Sequence, residues 1–227
     1  MRLGLSFAAL LLSASTWGAS PARADFLYAS RNDDTVTRID TRTGDETTFA
    51  GTGLNQPRGL AFDSAGNLYA ANNNGNTIER FTPGGVGSVF ASTGLSSPTG
   101  LAFDAAGNLY AANAANNTIE RFTPGGVGSL FANTELRSPF GLAFDAAGNL
   151  YAANNGDNTI ARFTPGGVGS PFESGTGGEA LFLAFPVRAV PEPSGLVLLG
   201  VGGLGLTLFA GVRRSRERRR GDRNGIA

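Results

Sequence analysis

The stretch "GLAFDSAGNLYAANNNGNTIERFTPGGVGSVFA" runs from Gly59 to Ala91. It holds four short strand-like segments: Leu60 to Asp63, Leu68 to Asn72, Thr77 to Thr82 and Ser88 to Ala91. Turn chemistry separates them. "DSAGN" offers an Asp to accept backbone N–H bonds and a Gly for positive φ, "NNNGN" does similar work, and "TPGG" turns the chain before the last segment. Apolar residues fall on both faces of these segments (Leu60, Phe62, Leu68, Tyr69, Ile78, Phe81, Phe90). A sheet built from them has to be covered on both sides.

The cover is more of the same. Leu-Tyr recurs at Leu27, Leu68, Leu109 and Leu150, a spacing of 41 each time. "GLAFD" begins at Gly59, Gly100 and Gly141, and "FTPGGVGS" at Phe81, Phe122 and Phe163. Four short antiparallel strands per repeat, stacked on copies of themselves, make a β-propeller blade. Helical repeats of similar period fail, because Gly, Pro and Asn break every segment after a few residues. The blade pattern from Pro57 through Phe81 resembles the NHL family of propellers, and the resemblance covers nearly all of residues 26–185. It implies an all-β propeller, in a pattern shared with lactonase and lyase families of six and seven blades.

The first unit, starting at Phe26, lacks its first strand and keeps Thr35 to Asp40 and Thr47 to Ala50. A surplus "LAF" at Leu183 to Phe185 lies 41 residues after the third one. The two ends are complementary, so the expected fold is a small propeller of four blades of four antiparallel strands, closed by the C-terminal strand. Closure between two chains is the alternative.

Composition narrows the chemistry. There is no His, no Cys and, since all 18 basic residues are Arg, no Lys. The common zinc sites, a Cys nucleophile and a His base are therefore excluded. Between Asp25 and Val190 there are 9 Arg against 15 Asp plus Glu, which argues against a nucleic-acid partner.

Both ends read as addresses. Residues 1–24 carry Arg2, an apolar run from Leu3 to Leu12 and an Ala22-Arg23-Ala24 site before Asp25, the layout of a secretory signal cleaved by signal peptidase. At the other end a linker over 186–195 contains Val190, Pro191, Glu192, Pro193 and Ser194. An uncharged run follows from Leu196 to Val212, long enough as a helix for about 25 Å at ~1.5 Å per residue. The Arg-rich tail over 213–227 would stay cytoplasmic by the positive-inside bias.

This order of three features resembles the PEP-CTERM sorting signal. The resemblance implies processing by an exosortase, removal of the tail, and export across the inner membrane of a Gram-negative bacterium to the cell surface or matrix. The C-terminal helix would be a transient membrane anchor. Exopolysaccharide is the ligand class the resemblance implies, with a surface protein as the other partner.

The residues that differ between repeats gather at one end of the wheel. In an antiparallel meander the second turn of each blade and the blade-to-blade link share that end. The expected ligand face therefore holds Arg58, Thr99 and Phe140 at matching link positions, with Asn72, Asn113 and Asn154 before the varied turns. The bland alternative is drifted surface positions. Asp63, Asp104 and Asp145 already start turns, so neither a metal nor another cofactor is expected, although related lactonases hold one. Near-identical blades present like groups, and the lyase-like propellers rely on a His that is missing here. The expectation is a non-catalytic binding or scaffold module, not an enzyme; the alternative is a lactonase- or lyase-like propeller enzyme at the cell surface.

Overall fold

The computed structural model describes residues 26–174 and Leu183. Within them are fifteen strands in four antiparallel sheets. The first sheet has three strands: β1 (Phe26–Ser30), β2 (Val36–Asp40) and β3 (Glu46–Ala50). The second is β4 (Pro57–Phe62), β5 (Leu68–Asn72), β6 (Thr77–Phe81) and β7 (Gly87–Ala91). The third is β8 (Pro98–Phe103), β9 (Leu109–Asn113), β10 (Thr118–Phe122) and β11 (Gly128–Ala132). The fourth is β12 (Pro139–Phe144), β13 (Leu150–Asn154), β14 (Thr159–Phe163) and β15 (Gly169–Glu173). Each is a simple meander, and the first strands of successive blades pack together, β4 on β8 and β8 on β12.

Local chemistry sets each hairpin. Asp63 Oδ1 accepts the N–H groups of Ala65 (2.9 Å) and Asn67 (2.8 Å), while Gly66 takes φ 82°. Asp104 and Asp145 repeat the arrangement. The first strand of each full blade starts earlier than apolar alternation predicts, at Pro57 rather than Leu60 in the second. A bulge between Pro57 and Leu60 lets Pro57 pair with Asn72 while Arg58 and Gly59 leave the ladder. A period-2 reading cannot see through a bulge.

The core lies between blades. Every residue of β5, β9 and β13 is buried, and apolar clusters join the first blade to the second, the second to the third and the third to the fourth. Tyr69 shows how the seam is keyed. Its ring meets Phe90 of its own blade at 4.9 Å and Phe103 of the next at 5.0 Å, both edge-to-face. Tyr28 and Tyr110 do the same one repeat earlier and later. Such contacts add about 0.5–1.5 kcal/mol each beyond burial.

One seam differs. Leu68, Leu109 and Leu150 are 0% exposed against the preceding blade, whereas Leu27 is 58% exposed; on the far face of the fourth blade Phe172 is 59% exposed. Of the expected closing strand only Leu183 is described. It lines an axial cavity with Leu60, Leu101 and Leu142 and with Tyr28 to Ser30 of β1. The signal segment with Ala22, Ala24 and Asp25, the Val190 to Ser194 motif, the Leu196 to Val212 run and the Arg-rich tail lie outside the described residues. Among the described residues no helix is long and apolar enough to cross a membrane.

Candidate functional site

The two ends of the wheel are built as the meander requires. The Asp turns and the "TPGG" turns share one end, where Asp63, Arg80, Asp104 and Pro124 line a common groove. The links and the Asn-rich turns share the other.

At that second end most of the expected ligand residues are structural. Asn72 is buried: its Nδ2 donates to the Gly53 carbonyl (2.8 Å) and to Thr77 Oγ1 (2.9 Å), and its Oδ1 accepts the Asn55 N–H (3.1 Å). Asn113 and Asn154 are pinned the same way, to the Gly94 and Glu135 carbonyls. These three amides fasten the incoming link to each blade and have no face left for a ligand. Thr99 is buried too. Its hydroxyl donates toward the Pro139 carbonyl at 2.9 Å, tying the third blade to the fourth, with the Ala112 carbonyl at 3.2 Å. Sequence reading missed a second set of pins, Asp34, Asn76 and Asn117. All have positive φ, and their Oδ1 atoms accept the N–H of Gln56, Ser97 and Ser138.

Arg58 and Phe140 are what remain. Arg58 is exposed and its guanidinium carbon stands 5.6 Å over the Phe140 ring, so a link in the second blade reaches one in the fourth. Ser30 Oγ donates to the Arg58 carbonyl at 2.9 Å and holds that link against β1. Together with Asn32 and Gln56 these residues line a mouth of about 440 Å³. A second cavity of about 380 Å³ shares Ser30 and Arg58 and runs down the axis among Leu60, Leu101 and Leu142. The inner strands close tightly there: a Cβ on Gly59 would run into the Thr99 carbonyl, and one on Gly100 into the Phe140 carbonyl.

The carboxylates with shifted affinities lie elsewhere. Burial would raise Asp63 and Asp104, but hydrogen bonds from Asn67 and Asn108, two backbone N–H groups each, and Tyr69 and Tyr110 outweigh it and hold both below the usual range. At Asp145 the Asn149 side chain is the largest cause of a similar lowering. Desolvation alone raises Glu79 and Glu120. Among the described residues neither axial cavity has a carboxylate in its lining, and Arg58 puts a cation there, a donor set that does not suit a divalent metal.

No protein-family model matches the chain, and no curated protein is significantly similar to it. Solved structures are similar. Virginiamycin B lyase from Staphylococcus aureus superposes with TM-score 0.57 at 22% identity, covering 64% of this chain and 51% of that one. A streptogramin B lyase gives 0.59 at 20% identity, covering 67% and 52%. A gluconolactonase-like protein gives 0.61 at 22% identity, covering 71% and 63%. The chain is a β-propeller. It spans about half the length of the two lyases.

These neighbours correct one expectation. A non-catalytic module was expected from the repeated blades and the absence of His, yet the propellers this chain resembles are enzymes or enzyme-like. The repeats also diverge at the end that holds the Arg58 and Phe140 mouth. A histidine-to-alanine form of virginiamycin B lyase is catalytically inactive, and this chain has no His to play that part.

Proposed function

We propose that this chain is a propeller enzyme of the lyase- or lactonase-like kind, exported to the cell surface, that holds its substrate at the Arg58 and Phe140 mouth. The observation that carries the site is the break in repeat symmetry. Where the third blade has a buried Thr99, the second and fourth present a cation and an aromatic ring to each other across the axis. A preoriented guanidinium stabilises negative charge developing on an ester or lactone oxygen. Ser30, Asn32 and Gln56 supply hydrogen-bonding partners around it. The enzyme neighbours support catalysis.

Delivery is part of the same proposal. Signal peptidase would cut after Ala24 and an exosortase would act at Val190 to Ser194, with the helix over 196–212 as a temporary anchor. Strand 180–185 would complete the first blade; Leu183 beside Leu60, Leu101 and Leu142 supports this.

The test is turnover. Purified protein is incubated with a panel of lactones, cyclic depsipeptides and polysaccharides, and products are read by mass spectrometry. Turnover that falls in Arg58→Gln supports the proposal; no product from any member of the panel defeats it.

A further inference from the structure

We infer that the ligand of the mouth carries a carboxylate on a polyol frame, such as a uronic or sugar acid. This rests on the mouth being the substrate site. The first observation is charge. Of the described residues lining the two axial cavities, Arg58 alone is ionised. Its surroundings are the reverse: the body between Asp25 and Val190 has 15 Asp plus Glu against 9 Arg. Arg31, Arg42 and Arg137 each stand within ion-pair distance of a carboxylate, whereas Arg58 makes no ion pair among the described residues. Among the described residues the mouth is thus a local inversion of the domain's sign, and a cation in a cavity whose described lining holds no carboxylate favours an anion.

The second observation is geometry. Phe140 lies under the face of the guanidinium, and a guanidinium edge offers two parallel N–H groups, the match for a planar carboxylate. A phosphate dianion would call for a second cation, and no other ionised side chain lines the mouth among the described residues. The third is the rim. Asn32 and Gln56 bring amides that both donate and accept, and Ser30, whose proton goes to the Arg58 carbonyl, brings an acceptor oxygen, which suits the hydroxyls of a polyol. A volume of about 440 Å³ sets the scale at a few sugar-sized units rather than a length of polymer.

Calorimetric titration tests this with glucuronate, galacturonate and gluconate, each against its uncharged counterpart (glucose, galactose and sorbitol). At least one acid should bind at least about tenfold tighter than its counterpart, and more weakly as salt rises. Arg58→Gln should abolish the difference with its melting curve unchanged, and Arg58→Lys should restore part of it. Equal affinity for acid and neutral sugar, no binding of any acid at millimolar concentration, or undiminished binding in Arg58→Gln each overturns the inference. The turnover panel run on the same samples separates the two ideas. Turnover without acid preference removes the ligand class and keeps the enzyme; Arg58-dependent acid binding without turnover does the opposite.

Discussion

The guanidinium of Arg58 and the ring of Phe140 stack at 5.6 Å from blades two repeats apart. Thr99 between them is buried and bonded to the Pro139 carbonyl, so the link carrying Phe140 is fixed before any ligand arrives. The aromatic ring therefore acts on the cation, holding it over the axis. Phe140→Ala should weaken ligand binding by about two- to fivefold, the equivalent of ~0.5–1 kcal/mol for an exposed cation–π pair. Titration beside a melting curve checks it. A loss confined to stability would mean that Phe140 serves packing alone.

Asn113 is buried, bonded at once to the Gly94 carbonyl, Thr118 Oγ1 and the Ser96 N–H. Asn113→Ala strands those partners and should cost about 2–3 kcal/mol, or roughly 5–10 °C in Tm for a domain of this size. Asn113→Asp should be little better, because it keeps the acceptor and loses both donors. Calorimetry of the two variants decides; a change under about 1 °C would show the link is held by its backbone alone.

These pins mark where the sequence was legible and where it was not. The strands could be read because Leu68, Tyr69, Phe81 and their repeats fill both sides of every sheet, and a 41-residue period leaves few alternatives. The mouth was half legible. Arg58 and Phe140 stood out by differing from Thr99, but nothing in their spacing shows that they meet across the axis. Asn72, Asn113 and Asn154 misled for a physical reason: Asn is equally suited to bind a ligand and to cap a chain. Only burial distinguishes the two uses.

Stability should respond to pH in two opposing steps. Glu79 and Glu120 have folded values raised by desolvation, so their cost is present above those values and gone below the ordinary ~4.3. Asp63, Asp104 and Asp145 have lowered folded values, so their contribution is present above the ordinary ~3.9 and lost as pH falls through the folded ones. Acidification from neutrality should first stabilise the domain, with a maximum at roughly pH 4–5, and then destabilise it. Urea midpoints across this range test the order. Replacing Glu79 and Glu120 by Gln should flatten the first step only.

The last prediction concerns closure of the wheel. Asn76 and Asn117 accept the N–H of Ser97 and Ser138 at the next link, but Asn158 Oδ1, their counterpart in the fourth blade, is buried without a partner among the described residues. The residue that continues the series, 41 after Ser138, is Glu179. Its N–H would complete the set if the chain enters a closing strand at residue 180, and Leu183 already stands in the leucine ring that such a strand implies. Deleting residues 181–185 should then lower stability across the whole domain in one cooperative step and expose the edge of β1 to aggregation. Leu183→Asp should reproduce the loss without shortening the chain. Light scattering separates the routes to closure. A monomer that melts early in both variants fits closure within the chain. A parent protein that is a dimer, and falls to monomers when 181–185 is removed, would mean that the strand completes the first blade of a second copy instead. An unchanged melt in both variants would leave the strand with no part in closure.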